Sequence, residues 1–181
     1  MLSNDVPLVP GAVLSKDEIL NAIDKGDIVI DPLQKDLINC ASIDLCLENE
    51  FRFFPKRNDA IPMTSSANYK DFTEKVVVTE EEGFLLGPGE LCLGITKETI
   101  KLAPHLCGIL EGRSRFARFG LAIHITAGFM QPGIENKQVL EIYNASPNTL
   151  KLIPGTPVCQ FIFLRMHGEA TYSGQFNGQV L

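Results

Sequence analysis

Proline and glycine punctuate this chain so often that few long regular elements fit between them. Gly87-Pro-Gly89, Pro132-Gly133, Ser146-Pro-Asn148 and Pro154-Gly-Thr-Pro157 are turn clusters, in which proline presets φ and glycine takes positive φ without steric cost. The runs between them are short. Leu91-Cys-Leu-Gly-Ile-Thr96 and Val158-Cys-Gln-Phe-Ile-Phe-Leu164 read as strands, and Ser42, Asp44 and Cys46 alternate with Ile43, Leu45 and Leu47. Many short strands with frequent turns predict an all-β barrel or sandwich. One helix is expected before them: Ser15-Lys-Asp-Glu18 has the form of a capping box, Ile19, Leu20 and Ile23 share a face, and Gly26 stands where a C-cap glycine belongs. The polar stretch from Lys56 to Glu82 is the expected long excursion. A glycine-rich tail, residues 166–181, is expected to be mobile.

The 181 residues are read as a single domain, 1–181, long enough to bury a core. A net charge of −6 argues against a surface that coats nucleic acid, which needs clustered Lys and Arg. The basic residues are instead concentrated at Arg113, Arg115 and Arg118, a pattern suited to a small anion. The five cysteines are odd in number and form no C-x-x-C pair, so buried free thiols in a reducing compartment are expected. Met1-Leu-Ser-Asn-Asp5 lacks the basic and apolar regions of a signal peptide. No apolar run approaches the ~20 residues of a membrane helix. These readings give a cytoplasmic protein, with a nuclear or organellar address left open, and no membrane contact.

Two features carry chemistry. Glu111-Gly-Arg-Ser-Arg-Phe-Ala-Arg-Phe-Gly120 sets three arginines around a serine, and guanidinium forks and hydroxyls donate hydrogen bonds to phosphate oxygens in fixed geometry. Ser114 and Arg118, four residues apart, would converge on a phosphate from a short helix or turn; a solvated basic turn is the plainer alternative. In Val139-Leu-Glu-Ile-Tyr143, alternation puts Glu141 on one face with Val139 and Tyr143. A lone carboxylate on an apolar face suits proton transfer to and from water. An ion pair with an arginine, or a strand whose other face is the buried one, would explain it equally. His124, between apolar residues, is more often structural than catalytic. Zinc deaminases need H-x-E with P-C-x-x-C, and His105, His124 and His167 have no such spacing. Together these features point to an enzyme that handles a phosphorylated small molecule with no zinc.

Gly112-Arg-Ser-Arg-Phe-Ala-Arg-Phe-Gly-Leu121, His124-Ile-Thr-Ala-Gly-Phe129 and Leu140-Glu141 resemble signature segments of the dCTP deaminase branch of the dUTPase-like enzymes. Ile30-Asp-Pro32, Ala41-Ser-Ile-Asp-Leu-Cys-Leu47, Leu85-Leu-Gly-Pro-Gly-Glu-Leu-Cys-Leu93 and Pro154-Gly155 to Gln160 extend the likeness over roughly residues 12–165. The resemblance implies a distorted β-barrel that forms a homotrimer with active sites at subunit boundaries. It implies zinc-independent hydrolysis of dCTP to dUTP and ammonia, with Mg²⁺ arriving on the substrate's phosphates. By the same resemblance, Glu141 activates water, Ser114 and Arg118 act beside it, and Arg113 reaches a phosphate. The loop of His124, Ala127 and Gly128 would read the pyrimidine edge. Gln160, Tyr172 and Gln179 would hold the base or the triphosphate.

Three departures matter. Gln131 stands where the relatives usually carry an aspartate; it can hydrogen-bond the substrate but cannot act as a base, so diphosphatase activity is expected to be weak or absent. Gln175-Phe176 replace a lysine and tyrosine of the tail, and Glu48 replaces a glycine. Two other readings stay open: a dUTP diphosphatase, alone or combined with deamination, and a non-catalytic dNTP-binding regulator.

Overall fold

The computed structural model describes residues 11–174, 176 and 178–181. It opens with the expected helix, α1 (Lys16–Asp24). Ser15 caps the first turn, its Oγ accepting from the Glu18 amide at 3.5 Å. At the other end Gly26 takes φ +77°, its N–H donates to Ile23, and that of Asp27 donates to Ala22. This is the paired bonding that glycine permits at a helix end. Ile19 and Ala22 are buried, with Leu20 and Ile23 packed at the edge of the core.

Eleven strands follow: β1 (Ile28–Asp31), β2 (Ile43–Phe53), β3 (Glu74–Val77), β4 (Phe84–Leu86), β5 (Leu91–Leu102), β6 (Leu106–Gly112), β7 (Leu121–Ile123), β8 (Phe129–Met130), β9 (Glu135–Asn144), β10 (Leu150–Leu152) and β11 (Pro157–Arg165). A four-residue helix, α2 (Ser114–Ala117), separates β6 from β7. Nine strands form one antiparallel sheet whose main path runs β7-β9-β5-β2-β11-β6-β8, with β1 on β5 and β3 on β2. β4 and β10 make a separate pair. The long sheet is strongly curled: a methyl placed on Gly112 of β6 would lie 3.6 Å from the Ile123 carbonyl of β7, at the other end of the strand order. The result is the expected distorted barrel.

Its interior holds Phe51, Phe161 and Phe163, all fully buried. Phe161 and Phe163 lie 4.8 Å apart between ring centres. Gly108 of β6 is required by this packing, because any Cβ there would collide with the Phe161 ring. The polar excursion is shorter than the sequence reading had it. Lys75-Val-Val77 joins β3, which pairs with β2, since its β-branched residues favour a pleated edge over a loop. Four cysteines are buried as expected, whereas Cys40 is exposed.

β5 and β9 need closer description because they carry the site. Their register slips between Ile95 and Thr99. Polar groups fill the irregularity: the Gln138 amide donates to Thr96 Oγ1 at 2.9 Å, and that hydroxyl donates to the Glu98 carbonyl at 2.8 Å. The Glu98 carboxylate, 2% exposed, accepts from the Cys46 amide at 2.9 Å. Burial pushes its pKa above the ordinary 4.5, against the lowering effect of that hydrogen bond.

Candidate functional site

A cleft of about 500 Å³ opens along β9 and β5. Its central strand buries Asn136, Gln138, Leu140, Ile142 and Asn144, and leaves Val139, Glu141 and Tyr143 half-buried. Glu141 therefore shares a face with Val139 and Tyr143, as alternation requires, but the deeper face is the opposite one. Leu93 is its direct cross-strand neighbour. Leu93 and Ile95 form a small second apolar cluster with the C-terminal Leu181, against which Tyr69 and Val139 pack. The carboxylate accepts from the Thr126 amide at 3.4 Å. Among the described residues it makes no ion pair. A half-open carboxylate between apolar neighbours, free of a counter-ion, is well placed to hold and move a proton of bound water.

The next segment approaches Glu141 through the backbone. The His124 amide donates to the Glu141 carbonyl at 2.8 Å. His124 then turns the chain with φ +60°, a strained value for a non-glycine residue. Its Nε2 donates to the Ala127 carbonyl at 2.8 Å. In the neutral ring that makes Nδ1 an acceptor, and Nδ1 is buried with no partner among the described residues. His124, Ala127 and Gln131 all line the cleft. Gly128 lies directly behind, its carbonyl committed to β6. Tyr172 and Gln179 close the far side. Thus six residues singled out in the sequence, Glu141, His124, Ala127, Gln131, Tyr172 and Gln179, meet around one cavity.

Ser114, Arg118, Arg113 and Gln160 lie elsewhere, at a corner where β2, β6 and β11 converge on α2. Arg113 precedes the helix, and its carbonyl accepts from Phe116 and Ala117 at 3.0 Å. Its guanidinium is engaged internally: Nη2 meets the buried Asp44 carboxylate at 2.8 Å, and Nη1 donates to the Pro157 carbonyl at 2.7 Å. Gln160 takes a bond from the Ser42 hydroxyl at 3.2 Å and gives one to the Gly112 carbonyl at 3.4 Å. Both side chains that the sequence reading aimed at a ligand are used here to fix the start of α2. Ser114 and Arg118 project from that helix and are exposed.

Several cleft residues escaped the sequence reading. Phe54, just before the excursion, and Tyr69, within it, line one wall; an aromatic in the middle of a polar stretch was the available signal. Asn136 and Gln138 line the floor, although amides in a strand carry no signal of their own. Gln175 lies outside the described residues. Glu48 pairs with Lys137 at 3.0 Å, so its arrival in place of glycine ties β2 to β9.

A family model described as dCTP deaminase-like matches residues 13–166. The chain belongs to that family. Among its relatives, "dCTP deaminase, dUMP-forming" of Methanopyrus kandleri is 39% identical over 177 residues, covering 92% of this chain and 91% of that protein. The protein of the same name from Persephonella marina is 35% identical over 169 residues and covers 92% of each. The fold is shared with the 2′-deoxycytidine 5′-triphosphate deaminase of Agrobacterium tumefaciens, at TM-score 0.66 and 18% identity over 88% of this chain. This family member spans half the length of that Agrobacterium chain. The dUTPase of EIAV is similar over 84% of this chain and 99% of its own, at TM-score 0.51 and 17% identity.

Proposed function

We propose that this protein deaminates dCTP and carries the product on to dUMP. The observation that carries the reading is Glu141: a carboxylate with no ion pair among the described residues, at the edge of a cleft of about 500 Å³, inside a chain whose relatives are named dUMP-forming dCTP deaminases. Water adds to C4 of the cytosine, Glu141 takes its proton and delivers it to the departing amine, and ammonia leaves. A second water then cleaves the α–β phosphoanhydride, so dCTP and two waters give dUMP, pyrophosphate and ammonia. This goes further than the sequence reading, which stopped at dUTP because of Gln131. The relatives' names favour the longer reaction, and Gln131, a cleft residue, remains to orient water by hydrogen bonding while the base is Glu141. Mg²⁺ enters as part of the substrate, on its phosphates.

The phosphate contacts are proposed to come from another copy of the chain. Glu141 and the exposed Ser114 and Arg118 belong to separate parts of one protomer, and a homotrimer would bring the α2 corner of one copy to the cleft of the next. Exposed Phe119 beside Arg118, and exposed Ile125 and Phe129 of the loop at the cleft, at 68%, 49% and 54%, support a face that another copy covers. The test is incubation with Mg²⁺ and either dCTP or dUTP, with products separated by anion exchange. Ammonia, dUMP and pyrophosphate from dCTP are expected. Accumulation of dUTP would restrict the enzyme to deamination, cleavage of dUTP alone would make it a diphosphatase, and tight binding of both without turnover would leave a nucleotide-binding regulator.

A further inference from the structure

We propose that Asn144, at the end of β9, is a positioning residue for the α2 corner, holding Ser114 and Arg118 in place through the turn that follows the strand. Asn144 is fully buried and stands three residues after Glu141, on the deeper face of β9. Its side chain makes every hydrogen bond open to it. Nδ2 donates to the Leu86 carbonyl at 2.9 Å and to the Asn148 carbonyl at 2.8 Å. Oδ1 accepts from the Ser146 amide at 2.9 Å and from the Ser146 hydroxyl at 2.8 Å. Two donors and two lone pairs are the whole capacity of a carboxamide, so these bonds fix the direction of the amide and the shape of residues 145–148. A flipped amide would set nitrogen against the Ser146 N–H and oxygen against two carbonyls. The backbone of Asn144 is held as well: its carbonyl accepts from Gly89 at 2.8 Å, and its amide donates to Glu90 at 3.1 Å.

The turn so shaped is where the chain leaving α2 comes to rest. The Ala145 amide donates to the Gly120 carbonyl at 2.8 Å. Ser146 lies so close that a Cβ on Gly120 would come within 2.9 Å of the Ser146 nitrogen and Cβ. Gly120 has φ +81°, a left-handed conformation that glycine takes without strain. From there the bonds run back into the helix. The Gly120 amide donates to Ala117 at 3.0 Å, that of Phe119 to Phe116 at 2.9 Å, and that of Arg118 to Ser114 at 3.2 Å. A helix of four residues is too short to hold itself, so its far end depends on this seat as its near end depends on Arg113 and Asp44. The strand that presents Glu141 thereby also fixes the two exposed side chains of the corner. The seat is a property of the fold; its effect on turnover rests on the nucleotide reading, in which Ser114 and Arg118 meet the phosphates.

Asn144→Ala removes all four side-chain bonds. Ser146→Ala removes only the hydroxyl and leaves Asn144 bonded to Leu86 and Asn148, so it tests the link in protein whose sheet is intact and decides alone if Asn144→Ala does not fold. The first readout needs no substrate: hydrogen exchange of residues 113–120 in nucleotide-free protein, set against that of β9. The second is steady-state turnover of Mg²⁺–dCTP. Exchange at 113–120 is expected to quicken about fivefold in Ser146→Ala and more than about tenfold in Asn144→Ala, the scale of one hydrogen bond and of several. β9 should keep its protection, with KM raised by similar factors and kcat little changed. Wild-type exchange at 113–120 in Ser146→Ala would overturn the link. A fall in kcat at unchanged KM would also overturn it, because that places Asn144 in the support of Glu141. So would faster exchange with KM and kcat both unchanged, which would leave the seat without a role in the site. Faster exchange in variants of a protein that turns over no dCTP even as wild type would uphold the seat and sink only the nucleotide reading.

Discussion

Along β9 the chain builds a pocket from its own parts: half-buried Glu141, the His124 turn, the buried amides Asn136 and Gln138, and the returning tail. At the α2 corner its material runs the other way. There the polar side chains pointing inward, Arg113, Asp44, Ser42 and Gln160, are matched to one another, and those left over, Ser114 and Arg118, face outward. One region has a cavity with a half-buried carboxylate and, among its described lining residues, no Lys or Arg; the other carries exposed charge. A triphosphate nucleotide needs both, apolar surroundings for the base and cations for the phosphates. On the proposed reading, the two regions would meet only between copies of the chain.

The comparison is broken most severely by Glu141→Gln. Removing the base while keeping its shape is expected to lower kcat about a thousandfold, the scale of general acid–base catalysis, with dCTP binding retained. Ammonia release checks the rate and calorimetric titration the binding; turnover within tenfold of wild type would take Glu141 out of the chemistry. Asp44→Asn tests the other region. It leaves Arg113 with a neutral partner, and since the pair is buried on the Asp44 side and 25% exposed on the other, a loss of about 2–3 kcal/mol is expected in urea unfolding. Cleft residues should keep their protection from hydrogen exchange while α2 loses it.

The smallest effect belongs to the interior between the two regions. Glu98 has a folded pKa raised above 4.5 by burial, so the folded state prefers it protonated. The preference is fully present below 4.5 and is lost as pH rises through the raised value. Glu98→Gln is therefore expected to raise Tm relative to wild type at pH 8, and the gain should vanish as pH falls below 4.5. A gain independent of pH would assign the effect to packing.

Much of this fold was legible because its turns are written in proline and glycine, and because Ser15, Ile19 and Gly26 spell a capped helix. The face of Glu141 followed from alternation alone. What alternation missed is which face lies deep, because Asn136, Gln138 and Asn144 occupy buried positions that usually go to apolar residues. They are tolerated since they bond to each other and to the backbone, as Asn144 does to the Leu86 and Asn148 carbonyls. The role of Arg113 was hidden for another reason. Its partner Asp44 is distant in sequence, and a basic cluster looks the same whether its charges face a ligand or a buried carboxylate. The seat of the tail, which the sequence gives reason to expect mobile, was hidden for the same reason, since its bonds reach back to Tyr69, Asn136 and Lys137.

In the proposed enzyme, cleft and corner from different copies make one site, and mixing two inactive variants tests this most directly. Glu141→Gln protein and Ser114→Ala/Arg118→Ala protein, unfolded together in equal amounts and refolded, form mixed assemblies. In a head-to-tail ring a site with both halves intact arises with probability one-half times one-half, so about a quarter of wild-type dCTP turnover is expected. Turnover no higher than that of either variant alone, from assemblies shown to be mixed, would mean that each chain completes its own site.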